Sequence, residues 1–322
     1  MPVNSGVRME NTDAAKPFAR YLAKQRYVGS DGWAMQNPRR GTTNDQGFAN
    51  SPDFGGRNGV FVVGDSYIES FMLDYPETLQ GRLDAALGGN VHAAGASGNG
   101  LADELQIARF YAPRLGPGTM VFFVEPFDLA GLIDPPDRGH NGFSLAGGQP
   151  SIAHSAYRES PLKRVVQASA LLRYIYYNLK IADWLSQTYI AGPPADGKLT
   201  RDHLGEKEKL LGYYFAEIMA LSAATPARVL FLVDGDRGAI YAGKRRGKAA
   251  WNRDERQLFL RLAARYGLEV LDMQPVFERH WRQRHERMDF LPTNGHWNAV
   301  AHQLAADEVL KRLIAKPPLP SP

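Results

Sequence analysis

The sequence predicts an α/β protein, with a parallel sheet of about five strands and helices on both faces. Three observations carry this. Short apolar runs such as Val60-Phe61-Val62-Val63 and Met120-Val121-Phe122-Phe123-Val124 have the continuous β-branched and aromatic character of strands buried on both faces. The segments between such runs are longer and carry apolar residues at helical spacing. The two kinds of segment alternate along the chain, the pattern of crossover-connected parallel strands.

Residues 1 to about 58 are rich in Gly, Asn, Asp, Pro and Arg and read as an irregular arm, with one short helix near Phe18 to Gln25. The main domain is expected to span 59–316. Its first strand is 60–64, followed by a helix over Ile68 to Leu87 that Pro76 should break or kink. A second strand at Asn90 to Ala94 runs into the turn Gly95-Ala96-Ser97-Gly98-Asn99-Gly100, and a helix follows over Ala102 to Tyr111. The third strand is 120–124, the fourth Arg228 to Val233 and the fifth Leu268 to Leu271. Helices are expected at Glu206 to Ala224, Asp254 to Tyr266 and Ala299 to Ile314.

An insertion of roughly 131–203 is too long for a simple crossover. Asp134 to Tyr157 reads as a loop and Pro161 to Gln187 as a helix. The apolar stripe of that helix either packs on the core or forms a lid or partner surface. A Pro-rich tail occupies 317–322.

Composition narrows the function classes. At 322 residues and 44% hydrophobic, the chain can bury a large core. The 38 basic against 34 acidic residues leave a net charge of +4, too slight an excess for a nucleic-acid surface. The cluster Lys244, Arg245, Arg246 and Lys248 reads as a solvated loop. With no cysteine, disulfides, thiolate metal sites and a cysteine nucleophile are excluded. No metal and no organic cofactor is expected. Met1 to Lys16 has no apolar core of signal-peptide length, and no run approaches the ~18 apolar residues of a membrane span. A soluble protein is expected, cytoplasmic, or extracytoplasmic if an upstream leader was removed; its oligomeric state is open.

Chemistry is suggested where the first strand stops at Gly64-Asp65-Ser66. Ligands gather at the carboxyl edge of an open α/β sheet, so Ser66 is placed as a nucleophile. A serine hydroxyl needs a neighbouring base. Among eight histidines, His296 in Asn294-Gly295-His296-Trp297-Asn298 is the best placed, just before the final helix. Taken alone, it reads equally well as a residue pinning that helix. The amides of Ser66 and Gly98 follow the ends of neighbouring strands and suit a developing oxyanion, although Gly98 also reads as a plain turn glycine.

Gly64-Asp65-Ser66, Ala94-Gly95-Ala96-Ser97-Gly98 and Gly295-His296-Trp297-Asn298 together resemble three of the four sequence blocks of the SGNH hydrolases, also called GDSL esterases and lipases. The likeness covers roughly 59–130 and 225–316. It implies a flavodoxin-like three-layer α/β/α sandwich and a serine-dependent acyl ester hydrolase acting through an acyl-Ser66 intermediate. The substrate implied is a small acyl ester or O-acetylated glycan. It also implies His296 as base, Asn294 as the residue orienting it, and the Ser66 and Gly98 amides as oxyanion donors. A branch resembling alginate O-acetyltransferases implies acetyl transfer to a polysaccharide instead. A catalytically degenerate glycan-binding or scaffold protein is a third reading. The sequence departs from the family pattern at two places. After the third strand, Glu125-Pro126-Phe127-Asp128 stands where the family has an Asn. Thr293 and Asn294 stand where it has the Asp behind the histidine. Asp65, Asn99 and Asp128 are the candidates for supporting roles.

Overall fold

A computed structural model describes residues 3–5, 7–12, 15–56, 59–179, 201–242, 251–290 and 294–315. The Lys244–Lys248 cluster, residues 180–187 of the expected insertion helix and the Pro-rich tail lie outside the described residues.

The chain opens with an antiparallel hairpin, β1 (Arg26–Asp31) and β2 (Gln36–Thr42). The short helix expected over 18–25 does not form. Tyr21 instead makes an isolated bridge to Met9, and its N–H bonds the Gly47 carbonyl. Contacts at long range outweigh local helical preference there.

All five expected strands form: β3 (Val60–Gly64), β4 (Val91–Gly95), β5 (Thr119–Val124), β8 (Arg228–Val233) and β9 (Glu269–Asp272). They pair in parallel in the order β4-β3-β5-β8-β9. Alternate side chains feed two separate cores, as the period-two geometry of a strand requires. Phe61, Val63, Met120, Phe122, Val229 and Phe231 pack with helix α3 (Leu101–Leu115) and helices Arg201–Ala224 and Arg253–Arg265. Val60, Val62, Val121, Phe123, Leu230 and Leu232 pack with α2 (Leu79–Leu87) and helices Gln274–Arg284 and Ala299–Ala315. Each such buried side chain contributes roughly 1.5–3 kcal/mol, and burial on both faces is why these strands are uniformly apolar.

The long helix expected over 68–87 is divided at the predicted place. A four-residue helix α1 (Ser66–Glu69) ends at Ser70, a 3₁₀ turn carries Pro76, and α2 begins after the Thr78 cap. The stretch 134–157, expected as a loop, contains the hairpin β6 (Asn141–Ser144) and β7 (Ser151–His154). That hairpin is fixed to α3 by Asp103, whose Oδ1 accepts from both the backbone and side-chain nitrogens of Asn141 at 2.7 and 2.8 Å. The following helical segment is broken into Pro161–Ala168, Ala170–Arg173 and a π turn at Tyr174–Asn178. Ser169 is non-helical and caps the second piece. Further elements outside the expected set are α4 (Pro126–Ala130) and the two-strand ladder β10 (Asp289–Phe290) with β11 (Asn294–Trp297).

Candidate active site

Strand register places the site. Val63 of β3 is level with Ala94 of β4 and Phe122 of β5, and Val124 is level with Val233 of β8. Ser97, Ser66, Glu125 and Asp234 each follow the end of one of these strands by one or two residues and so gather along the carboxyl edge. Ligands of open α/β sheets bind outside that edge.

Ser66 is the first residue of α1. Asp65 precedes it as the N-cap, its Oδ1 accepting the Tyr67 N–H at 2.8 Å. The turn is tight because α1 lies directly on β4: a Cβ on Gly95 would come within 2.5 Å of Glu69 N and 2.8 Å of Asp65 O. Across the edge, β11 presents His296, whose Nε2 lies 2.7 Å from Ser66 Oγ. These two residues, 230 positions apart in sequence, are thus within hydrogen-bond reach. The Tyr67 ring packs beside the imidazole, with centroids 4.8 Å apart.

β11 is held by a buried polar hub that the sequence reading did not single out. Asp234 Oδ1 accepts from Trp297 Nε1 at 2.8 Å and from Arg237 at 2.7 Å, and its other oxygen accepts from the same guanidinium nitrogen at 2.8 Å. Arg237 in turn donates to the Gly295 carbonyl at 2.8 Å and to the Tyr67 hydroxyl at 2.9 Å. Both residues on either side of His296 are therefore tied to the end of β8. Burial disfavours charge on each partner, and the two short contacts between carboxylate and guanidinium hold the ionised pair. The available signal was Asp234 directly after an apolar strand, just as Asp65 directly follows β3.

Asn294 begins β11, but its side chain and Thr293 lie outside the described residues, so its expected orienting role is not placed. Gly98 has φ +87°, and a Cβ there would lie 3.1 Å from His140 Nε2. Among the described residues no group accepts the Ser66 or Gly98 N–H. Ser66, Gly98, Asn99, Glu125, Phe127, Asp128 and His140 all line one cavity of about 400 Å³. Asn99 Nδ2 donates to the Gly64 carbonyl at 3.1 Å, while its buried Oδ1 has no hydrogen-bond partner among the described residues. Asp128 Oδ2 accepts the Glu125 N–H at 2.7 Å.

The cavity wall is rich in buried carboxyls. Burial pushes Asp65 up to about 7, offset in part by the Tyr67 N–H. Burial also raises Glu125 and Asp128, each further raised by neighbouring carboxylates. His140, another residue the sequence reading passed over, bonds Asp103 through Nδ1 at 3.2 Å. Burial opposes its charged form, but the Asp103 contact outweighs this and raises the imidazole. Among the described residues no group of three or more His, Asp or Glu side chains forms a metal site, and no helix is long and apolar enough to cross a membrane.

No family model matches the sequence, and no curated protein matches it either. Solved structures with a similar fold include an acetyl xylan esterase, with TM-score 0.45 and 13% identity, covering 79% of this chain and 99% of that one. A candidate SGNH hydrolase from Slackia heliotrinireducens has TM-score 0.42 and 10% identity, over 80% and 98% of the two chains. An enzyme described as an alpha/beta hydrolase from the metagenome of Lake Arreo, Spain, has TM-score 0.45 and 15% identity, over 80% and 96%.

Proposed function

We propose that this protein is a serine-dependent acyl ester hydrolase of the SGNH type, acting on a small acyl ester such as an O-acetyl group on a carbohydrate. The observation that carries the reading is the 2.7 Å contact between Ser66 Oγ and His296 Nε2 at the carboxyl edge of the sheet. Ser66 Oγ attacks the ester carbonyl carbon while His296 Nε2 takes its proton. The Ser66 and Gly98 amides donate to the oxygen that becomes negative. His296 then returns the proton to the departing alkoxide, leaving acyl-Ser66. Water, deprotonated by His296, releases the acid and restores the serine.

The Asp234–Arg237 hub fixes β11 from both sides of His296, so the base is held near its attack position before substrate arrives. A pair kept within hydrogen-bond reach supports an enzyme over a scaffold that merely retains the fold. The Ser66→Ala variant is expected to abolish turnover of p-nitrophenyl acetate and covalent labelling by a fluorophosphonate. Undiminished turnover in that variant would overturn the proposal.

A further inference from the structure

We infer that Glu125 is a catalytic residue of this site: a neutral carboxylic acid whose O–H donates to the oxyanion, in the place where the resembled family carries an Asn. The inference rests on the hydrolase reading above and deepens it.

Glu125 directly follows β5, whose pairing runs to Val63↔Phe122 on the β3 side and Val124↔Val233 on the β8 side, so it stands at the carboxyl edge between the strand ends that lead into Ser66 and Asp234. It lines the same cavity as Ser66 and Gly98 and is 6% exposed. Its carboxyl lies beside the Phe127 amide, and a protonated oxygen of the same carboxyl can donate a hydrogen bond into the cavity.

Protonation follows from the surroundings. Asp65, after β3, and Asp128, from α4, lie close enough to act on the Glu125 charge, as does Asp234 after β8. Asp103 and Glu104 of α3 join the same buried group, and Tyr67 is near enough for the Glu125 charge to act on it. The cations nearby are already engaged: Arg237 with Asp234, and Lys207, beneath α4, with Glu255 and the Leu129 carbonyl. Carboxyls crowded in a dry site cannot all ionise, so protons are retained among them. A carboxylic acid kept neutral by its site is an effective oxyanion donor. In the acylation step, negative charge grows on the carbonyl oxygen as the Ser66 Oγ–carbon bond forms. Glu125 donates its hydrogen bond without losing its proton, and the only proton transferred passes from Ser66 through His296 to the leaving alkoxide.

The test measures p-nitrophenyl acetate hydrolysis by the wild type, Glu125→Ala and Glu125→Gln. Removing the donor should lower kcat by about 10²–10³ with KM little changed. The Gln variant keeps an N–H donor and should stay within about tenfold of the wild type. If Glu125→Ala fails to fold, the pH profile decides. Wild-type kcat should fall at strongly alkaline pH as the acid ionises, and Glu125→Gln should lack that limb. A Glu125→Ala variant within about threefold of an active wild type, a Gln variant as impaired as Ala, or identical alkaline limbs would each overturn the inference while leaving the hydrolase reading intact. A wild type without turnover would sink both.

Discussion

The Asp234 hub offers the sharpest structural test, since one carboxylate holds both Trp297 and Arg237 beside the base. Replacing Asp234 by Ala would leave the Arg237 guanidinium, 8% exposed, without the two oxygens now 2.7 and 2.8 Å away. Breaking a buried pair by removing one partner costs about 3–5 kcal/mol. The orphaned Trp297 Nε1–H, now 2.8 Å from Asp234, costs roughly 1–3 kcal/mol in isolation. Because the donors share one acceptor, the two figures do not add, and a total of about 3–5 kcal/mol is expected. The Asp234→Asn variant keeps an acceptor for Trp297 and for one Arg237 contact but loses the charge, so a loss of about 1.5–3 kcal/mol is expected. Urea unfolding curves for the wild type and both variants give these differences directly. Activity should fall as well, since loosening β11 by ~1 Å can cost about 10²-fold. The reasoning would be refuted if Asp234→Ala cost less than about 1 kcal/mol, or if Asn were as damaging as Ala.

Two further outcomes follow from named geometry. Gly98→Ala places a Cβ at φ +87° and 3.1 Å from His140 Nε2, so a stability loss of about 1–2 kcal/mol is expected. Displacing its amide should also reduce kcat by ~10² or more, and wild-type kcat in that variant would count against Gly98 as a donor. His302 is fully buried, accepts the Leu79 N–H through Nδ1 at 2.9 Å and contacts Ser70 Oγ at 3.2 Å. Burial, with the charges of Arg82, Arg237 and His296, lowers its pKa from 6.5 to about 3. Its neutral form is the folded one, so its contribution is complete above pH 6.5 and is lost as pH falls toward 3, by up to about 1.4 kcal/mol per pH unit. Unfolding free energies of the wild type and His302→Gln compared across that window should converge as pH falls, and a constant difference would exclude the linkage.

The sequence alone was enough for the sheet, because its strands are buried on both faces. Runs such as Val60–Val63 and Met120–Val124 have no polar alternative to satisfy, so their signal survives without any knowledge of neighbours. Ser66 and His296 could be singled out for a related reason: Ser66 directly follows the Gly64-Asp65 strand end and His296 stands just before the final helix, although the structure puts His296 in strand β11 rather than in a turn. The hairpin at 141–154 was not legible, since its Gly-rich strands take their place from Asp103 on another element. Neither was the gathering of Ser66 and Glu125 in one cavity, nor the grip of Arg237 on the Gly295 carbonyl. Those relations depend on the register between strands separated by dozens of residues and on burial that no local segment encodes. A carboxylate reads the same in any sequence, but whether it is a solvated charge, an ion-pair anchor or a neutral acid is settled by what the folded chain packs around it.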